Sequence, residues 1–239
     1  MRVSRRIALM MFPLSVVSAG LGYSFSETLN LEVSKLGLGL GSRIAFMVDT
    51  HTHEFGVLEE RVVDYLAGKQ PDILIHGGDF VDRFTSSLKP LKEYLSLIEA
   101  RERIAVLGNH DYWSGWSPEL SRMLKELGFT ILKNDYVETS IGRVFGIDWR
   151  DDRRYDFRVE ADLVVAHDPN AALAVDKGFI VAGHTHGGVV LGGITLLSNS
   201  MYARGLYHLG EGRILYVSRG LGQMLPFRPT SPPELLILE

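Results

Sequence analysis

Two histidines, His184 and His186, lie two residues apart after an apolar run at 179–182, with glycines on both sides of them. Because side chains alternate along an extended backbone, both imidazoles can face one point. Imidazole is a common metal ligand, and glycine allows the backbone to turn tightly beside a ligand. The pair indicates a metal site, and solvated turn residues at a strand end are the alternative interpretation.

Five more oxygen or imidazole donors follow other apolar runs of the chain. With the pair they make seven: Asp49, His51, Asp79, Asn109, His167, His184 and His186. Each alone is a weak signal, because an Asp after a strand is commonly a turn or cap residue. Ligands of an open α/β sheet gather at the carboxyl ends of its strands, so these donors can converge. Seven donors are too many for one tetrahedral site but suit two ions that share one carboxylate.

The elements that must position these donors alternate in the first half of the chain. Short apolar runs at 44–48, 73–75 and 104–107 predict buried strands, and amphipathic patterns between them predict helices. This alternation favours a βαβ sheet. In the second half short β runs dominate, with one brief helix predicted at 170–175. We therefore expect an α/β first half and a β-rich second half.

The composition limits the partners, nucleophiles and metal ligands that this chain can use. The 239 residues carry a net charge of −4 and include no cysteine. Nucleic acid is not expected as a partner, because the chain is not basic. Without cysteine, disulfides, thiolate metal sites and cysteine nucleophiles are excluded. Any metal must be held by His, Asp, Asn or Glu, ligands that suit Mn, Fe, Zn or Ni.

The N-terminal segment carries Arg2, Arg5 and Arg6 before twenty uncharged residues, 7–26. Its start resembles a twin-arginine export signal, and twenty uncharged residues also suffice for a membrane anchor. We therefore assign residues 1–30 to a twin-arginine-like signal or a membrane anchor, with an apolar helix packed on the domain as the alternative. We expect a membrane-associated or exported protein, with the cytoplasmic face of the membrane as the alternative location.

Four short blocks occur in order along the chain: D-x-H at 49–51, G-D-x-x-D at 78–82, G-N-H-D at 108–111 and G-H-x-H at 183–186, with His167 before the last. In these blocks and their spacing the chain resembles the calcineurin-like metallophosphoesterase superfamily. The resemblance implies an α/β fold, a four-layer α/β/β/α sandwich of two mixed β-sheets flanked by helices.

A narrower likeness covers the tail of the chain. Residues 205–207 and 216–222 and a final Pro-Pro-Glu-Leu run resemble a branch of exported or membrane-anchored prokaryotic phosphoesterases. That branch includes members that cleave UDP-2,3-diacylglucosamine. The resemblance implies a phosphoesterase domain at residues 42–239, while Val189 departs from the Gln of the branch and leaves the substrate open.

The resemblance also implies two divalent transition metal ions, with Mn favoured over Fe, Zn or Ni. Asp79 bridges them, and the remaining ligands are Asp49, His51 and His186 for one ion and Asn109, His167 and His184 for the other. It further implies attack by a metal-bound hydroxide, with His110 as the general acid that protonates the leaving oxygen. Asp82 is the expected orienting partner of His110, with Asp111 as the second candidate.

Three arginines are candidates for binding an anionic substrate. Arg83 follows Asp82 as in related phosphatases, and a plain surface arginine is the alternative interpretation. Arg204 and Arg219 lie in loops after the metal motifs. Trp113 and Trp116 follow the expected acid, and they form either one wall of the pocket or part of the core.

We therefore expect a dinuclear metal-dependent phosphoesterase that hydrolyses a phosphodiester or a related phosphate ester. One alternative is a pyrophosphatase acting on a lipid-linked nucleotide sugar such as UDP-2,3-diacylglucosamine. An alternative of another class is a non-catalytic binding scaffold on the same fold. The presence of His110 beside all seven donors argues against the scaffold, which has no need of an acid.

Overall fold

The structure, a computed structural model, describes residues 23, 24, 26–224, 228 and 230–239. The predicted signal or anchor therefore lies largely outside the described residues. Within the described part of the chain, no helix has both the length and the apolar character needed to cross a membrane. On this finding the predicted membrane-associated or exported location is wrong, as is its alternative at the cytoplasmic face of the membrane.

Six strands form the first sheet, from one edge to the other β1 (Glu32–Leu36), β14 (Glu234–Leu238), β2 (Ile44–Met47), β3 (Ile73–His76), β4 (Glu102–Ala105) and β5 (Thr130–Ile131). Strands β2 to β5 are parallel, whereas β14 pairs antiparallel with β2 and parallel with β1, so the sheet is mixed. The edge strand β1 precedes residue 42, the predicted start of the domain, and the sequence patterns did not predict it.

Four helices follow strands of this sheet: α1 (Val57–Ala67), α2 (Lys89–Ser96), α3 (Asn109–Trp113) and α4 (Ser117–Glu126). Apolar residues at helical spacing turn one face of each longer helix inward, as with Leu58, Val62 and Leu66 of α1. Proline in the first turn suits α2 and α4, because the first backbone N–H groups of a helix have no partner within it.

The second sheet also has six strands, in the order β12 (Gly205–Gly210), β13 (Arg213–Val217), β9 (Val175–Ala182), β8 (Val159–Ala166), β7 (Gly142–Ile147) and β6 (Asp135–Thr139). Its four central strands are parallel, and the two edge strands are antiparallel to their neighbours. A separate hairpin joins β10 (Val189–Leu191) to β11 (Ile194–Leu197), and a 3-10 helix spans Pro169–Ala174.

Strand β2 contributes to two cores because its side chains alternate between the faces of the sheet. Ala45 and Met47 pack beneath the helices, whereas Ile44 and Phe46 pack against residues of the second sheet such as Val181. The two sheets therefore face each other. A third apolar cluster covers the outer face of the second sheet, where the 3-10 helix lies. The predicted α/β class with two mixed sheets is confirmed.

The parallel strands bring the candidate donors to one edge of each sheet. In the first sheet Asp49 follows β2, Asp79 follows β3 and Asn109 follows β4. In the second sheet His167 directly follows β8, and residues 184–186 follow β9. Because the sheets face each other, the two edges meet at one place.

Candidate metal centre

The backbone is strained at the candidate ligands. Among the described residues, nine non-glycine residues have positive φ, and five of them are candidate ligands: Asp49, His51, Asp79, His184 and His186, with φ between 41° and 72°. Such a conformation is uncommon for residues other than glycine and costs about 1–3 kcal/mol each. This concentration of strain indicates that the surrounding structure holds these side chains in set directions.

The first donor group consists of Asp49, His51 and His186, each with a ligand atom within 4.8 Å of those of the others. The rings of His51 and His186 are stacked, with centroids 5.2 Å apart. His186 donates from Nδ1 to the carbonyl oxygen of Gly222 at 3.2 Å. That hydrogen bond fixes the tautomer and leaves Nε2 free as a ligand.

The second donor group consists of Asp79, His167 and His184, which meet the same distance criterion. Nε2 of His167 lies 3.2 Å from Nδ1 of His184 and 3.0 Å from Oδ1 of Asn109. Nδ1 of His167 donates to the carbonyl oxygen of Gly77 at 3.0 Å, so Nε2 faces the group. The histidine pair in G-H-x-H is thus divided, with one imidazole in each group.

Asp79 lies between the two groups. Its Oδ2 is 3.7 Å from Nε2 of His51 and 3.2 Å from Nε2 of His167. Its Oδ1 accepts a hydrogen bond from the backbone N–H of His110 at 2.8 Å. One carboxylate therefore faces both donor groups and is itself held by the first turn of α3.

Burial and mutual charge shift the pKa values of the cluster. Burial raises the pKa of Asp49 to about 6, although the charge of His167 opposes the shift. Burial together with the charge of His167 lowers the pKa of His184 to about 3. For His167 burial acts downward, but the carboxylates of Asp79 and Asp49 outweigh it and raise the pKa to about 9. Strong shifts of this kind are concentrated at functional sites.

The residues present fit divalent cations. Oδ1 of Asp49 and Nε2 of His51 are buried and have no hydrogen-bond partner. Leaving a buried polar atom unpaired costs free energy, which a bound cation would remove. Carboxylate, amide and imidazole donors without any thiolate suit first-row divalent ions such as Mn or Zn.

Comparison with known proteins shows the family. The model of the family described as Calcineurin-like phosphoesterase matches residues 42–188, which include both donor groups. The chain belongs to this family. It is a metal-dependent hydrolase of phosphoester bonds, and the divalent metals that the family uses agree with the two groups of candidate ligands.

Relatives of this metallophosphoesterase occur in several bacteria. An uncharacterized metallophosphoesterase of Aquifex aeolicus is 31% identical, with 90% of this chain and 94% of the relative covered. Phosphodiesterase YaeI of Escherichia coli is also 31% identical, with 82% of this chain and 81% of the relative covered. A solved structure described as a novel archaeal phosphodiesterase has a TM-score of 0.51 at 20% identity and covers 82% of this chain and 93% of its own. That likeness shows the shared fold.

His110, the predicted general acid of the metallophosphoesterase, lies in the first turn of α3. Its ring is edge-on to the ring of His51, with centroids 5.2 Å apart. The side chain is half-buried, and burial lowers its pKa from the ordinary value. His110 thus lies at the rim of the two donor groups.

Asp82, the predicted partner of His110, has contacts with His53, Phe84 and His51 in the structure. Oδ1 of Asp82 accepts a hydrogen bond from Nε2 of His53 at 2.9 Å and one from the backbone N–H of Phe84 at 2.7 Å. Its Oδ2 lies 3.2 Å from Nδ1 of His51. The carboxylate is buried and lies beside the ring of His51, a candidate ligand.

Asp111, the second candidate for orienting His110, has a different role. Its carboxylate accepts backbone hydrogen bonds from Gly108, Asp79, Phe80 and Val81, at 2.9–3.2 Å. These bonds tie the loop after β3 to the loop after β4. Asp111 therefore holds together the two segments that carry Asp79 and His110.

The predicted substrate arginines are placed differently from one another. Arg83 is exposed, with its guanidinium 4.7 Å from the ring centroid of Phe84. Arg204 donates to the hydroxyl of Ser231 at 3.1 Å and to the carbonyl of Thr230. Arg204 is thus engaged with a loop of the chain itself, and this geometry does not support a substrate contact for it.

Arg219 is engaged in a similar way. Its Nη2 lies 2.8 Å from Oε2 of Glu32 and 3.3 Å from Oε1 of Glu234. Its backbone N–H donates to the same buried Glu234 at 2.9 Å. Arg219 joins β1 to β14, and its partners explain its presence without a bound substrate.

Three residues near the site were not predicted from the sequence. The ring of Trp149 lies 5.0 Å from that of His184, and Nδ2 of Asn199 is 3.2 Å from Nε2 of His184. The buried Arg228 places Nη2 3.4 Å from Nδ1 of His186. Trp149 follows the end of β7 by two residues, and Asp49 follows β2 at the same spacing. Position after a strand could therefore have identified Trp149 as a residue near the site. Asn199 and Arg228 lie in irregular segments with no such pattern.

Proposed function

We propose that this hydrolase cleaves phosphodiesters at a centre of two divalent transition metal ions. One ion is assigned to Asp49, His51, Asp79 and His186, and the other to Asp79, Asn109, His167 and His184. The observation that carries the proposal is the position of the Asp79 carboxylate, within 3.7 Å of an imidazole nitrogen of each group. A carboxylate can bind two cations at once, whereas the free nitrogen of an imidazole binds one.

His110 and Asp82 have separate parts in this hydrolysis, beside the metal ligands. The two donor groups around Asp79 would hold two divalent ions, which would stabilise negative charge on the phosphate oxygens and lower the pKa of a bound water. His110 gives its ring proton to the leaving oxygen as the bond from phosphorus to that oxygen breaks and the oxygen of water bonds to phosphorus. Its position beside His51, at the rim of the donor groups, supports this role. Asp82 keeps His51 in orientation from the other side.

The name of the Escherichia coli relative, Phosphodiesterase YaeI, supports a diester substrate. A pyrophosphatase acting on a lipid-linked nucleotide sugar is the second candidate, because a cavity of about 540 Å³ adjoins the site. This cavity reaches His186 and is lined in part by the apolar Val189, Leu197 and Met224. An acyl chain fits such a lining.

The decisive experiment compares three substrates on the metal-stripped protein and on the protein loaded with Mn²⁺. Bis-p-nitrophenyl phosphate, p-nitrophenyl phosphate and UDP-2,3-diacylglucosamine represent a diester, a monoester and a pyrophosphate. We expect Mn²⁺-dependent turnover, fastest with the diester. Fastest turnover of the nucleotide sugar would favour the pyrophosphatase, and no metal-dependent turnover of any substrate would refute both functions.

We also propose that the catalytic domain extends beyond the residues matched by the family, to the C-terminus. Strand β14 supports this extent, because Leu236 pairs with Phe46 in the middle of the first sheet. The parallel pairing of β1 with β14 supports a domain that begins at about residue 32, before the start at residue 42 that the motifs indicated.

A further inference from the structure

Two tryptophans near the site share one carboxylate. The indole N–H of Trp113 donates to Oδ1 of Asp151 at 2.9 Å, and the indole N–H of Trp149 donates to the same oxygen at 2.8 Å. The two rings meet edge-to-face, with centroids 5.9 Å apart and planes at 88°. Each ring is therefore fixed at its polar end by Asp151 and along its side by the other ring.

This pair lies at the reacting end of the site. Trp113 is three residues after His110 in α3, a spacing that puts two side chains on the same side of a helix. The centroids of these two rings are 5.5 Å apart. On the other side, the ring of Trp149 is 5.0 Å from that of His184. The pair thus extends from the proposed acid to the second donor group.

Trp113 is open to solvent although it is held in place. The side chain is 59% exposed, which is a large apolar area to leave in water at a site that binds a ligand. Trp149 is only partly exposed and has the guanidinium of Arg153 5.9 Å from its ring centroid. Trp116, by contrast, donates to the carbonyl of Thr85 and packs against the helical core. Among the three tryptophans, Trp113 has the ring surface that is free for a ligand.

We propose that Trp113, oriented by Asp151, forms a subsite that stacks on a planar aromatic ring in the leaving group of the substrate. The assignment to the leaving group rests on the proposed function, since a proton from His110 goes to the leaving oxygen and Trp113 lies next to that histidine. The substrate class is then a phosphodiester whose leaving group carries an aryl ring or a nucleobase. Ring stacking on a fixed aromatic side chain needs no hydrogen bond and accepts any planar π face.

The kinetic test uses two diesters that differ only in the leaving group, methyl p-nitrophenyl phosphate and methyl trifluoroethyl phosphate. We expect Trp113→Leu to lower kcat/KM for the aryl diester about tenfold and to change that for the alkyl diester less than twofold, in line with the usual worth of one aromatic stack. Trp113→Phe should restore part of the preference. An equal change for both diesters in Trp113→Leu would overturn the proposal.

A binding test does not depend on turnover. Calorimetry with the Mn²⁺-loaded protein compares phenylphosphonate with methylphosphonate, and adenosine monophosphate with ribose 5-phosphate. Tighter binding of the ring-bearing member of either pair, lost in Trp113→Leu, supports the subsite and shows whether an aryl ring or a nucleobase fits. Equal binding within both pairs would overturn it. The binding results remain valid if no substrate is turned over. Absence of turnover would refute the proposed function but not the subsite.

A matched pair of acidic residues tests the orienting role. Asp151 bonds both indoles, whereas its exposed neighbour Asp152 bonds Arg150. We expect Asp151→Ala to reduce the preference for phenylphosphonate over methylphosphonate several-fold and Asp152→Ala to leave it unchanged. Loss of the preference in both variants, or in neither, would overturn the role of Asp151.

Discussion

Asp82 lies with its Oδ2 3.2 Å from Nδ1 of His51, and both side chains are buried. A carboxylate behind a metal-binding imidazole fixes the orientation of the ring and raises its basicity. Asp82 is therefore in the position of such a partner. The other oxygen of Asp82 is occupied by His53 and a backbone N–H, so the carboxylate cannot easily turn away.

Replacing this carboxylate should weaken metal binding. We expect Asp82→Asn to lower the affinity for Mn²⁺ about 10–100-fold, because the ring of His51 loses its anionic partner. Calorimetric titration of the metal-stripped protein measures the effect, and Asp64→Asn on the exposed side of α1 is the control. Unchanged Mn²⁺ affinity together with a lower kcat would instead support the pairing of Asp82 with His110.

The position of Asp79 predicts a loss of both metals from one substitution. Asp79→Asn keeps an oxygen to accept the N–H of His110 but removes the charge that faces both groups. We expect the protein to retain less than one Mn²⁺ after dialysis, whereas His186→Ala should still retain the ion assigned to the second group. Metal analysis by plasma emission measures both. Two ions retained in Asp79→Asn would refute the bridging assignment.

The proposed acid can be separated from metal binding. We expect His110→Gln to lower kcat about 10²–10⁴-fold, the usual contribution of a positioned proton donor, while the metal content stays the same. His208→Gln, at an exposed position of β12, is the control. An unchanged kcat in the His110 variant would exclude it as the general acid.

Gly183, next to the first donor group, has no room for a side chain. A Cβ at Gly183 would lie 2.3 Å from Cγ2 of Val48 and 2.8 Å from Oδ2 of Asp49. We expect Gly183→Ala to lower the free energy of unfolding by about 1–3 kcal/mol, as overpacking usually does, and to weaken Mn²⁺ binding by displacing Asp49. Gly37→Ala is the control, because nothing lies within 4 Å of its added Cβ. Urea unfolding that is the same for both variants would contradict this packing.

Much of the site is readable from the sequence because its signals are local. An apolar run followed directly by a donor, as with Asp49 after β2 or His167 after β8, marks the end of a buried strand. The type of donor limits the metals, and parallel strands oblige such ends to meet at one edge. The first sheet and the donor set were predictable for these reasons, whereas β1 lacks an apolar run and was not.

The tertiary structure alone decided which side chains meet across loops. Asp82 contacts His51 because the loops after β2 and β3 lie side by side, joined by the hydrogen bond from the backbone N–H of His51 to the carbonyl oxygen of Asp79. No local sequence pattern reports that approach. Arg219 reaches Glu32 and Glu234 from distant segments, so its ion pairs depend on how β1 and β14 join the sheet.

The same distinction holds for the substrate side of the site. The sequence identified Trp113 as either pocket wall or core, since a tryptophan near a catalytic histidine fits both. In the structure Trp113 is exposed, and its indole N–H donates to Asp151, a carboxylate 38 residues away. The sequence thus determined the chemistry of the metal donors, which resides in residue type and strand ends. The tertiary structure decided which side chains orient the metal donors and which ones line the site, because these contacts form only where separate loops come together.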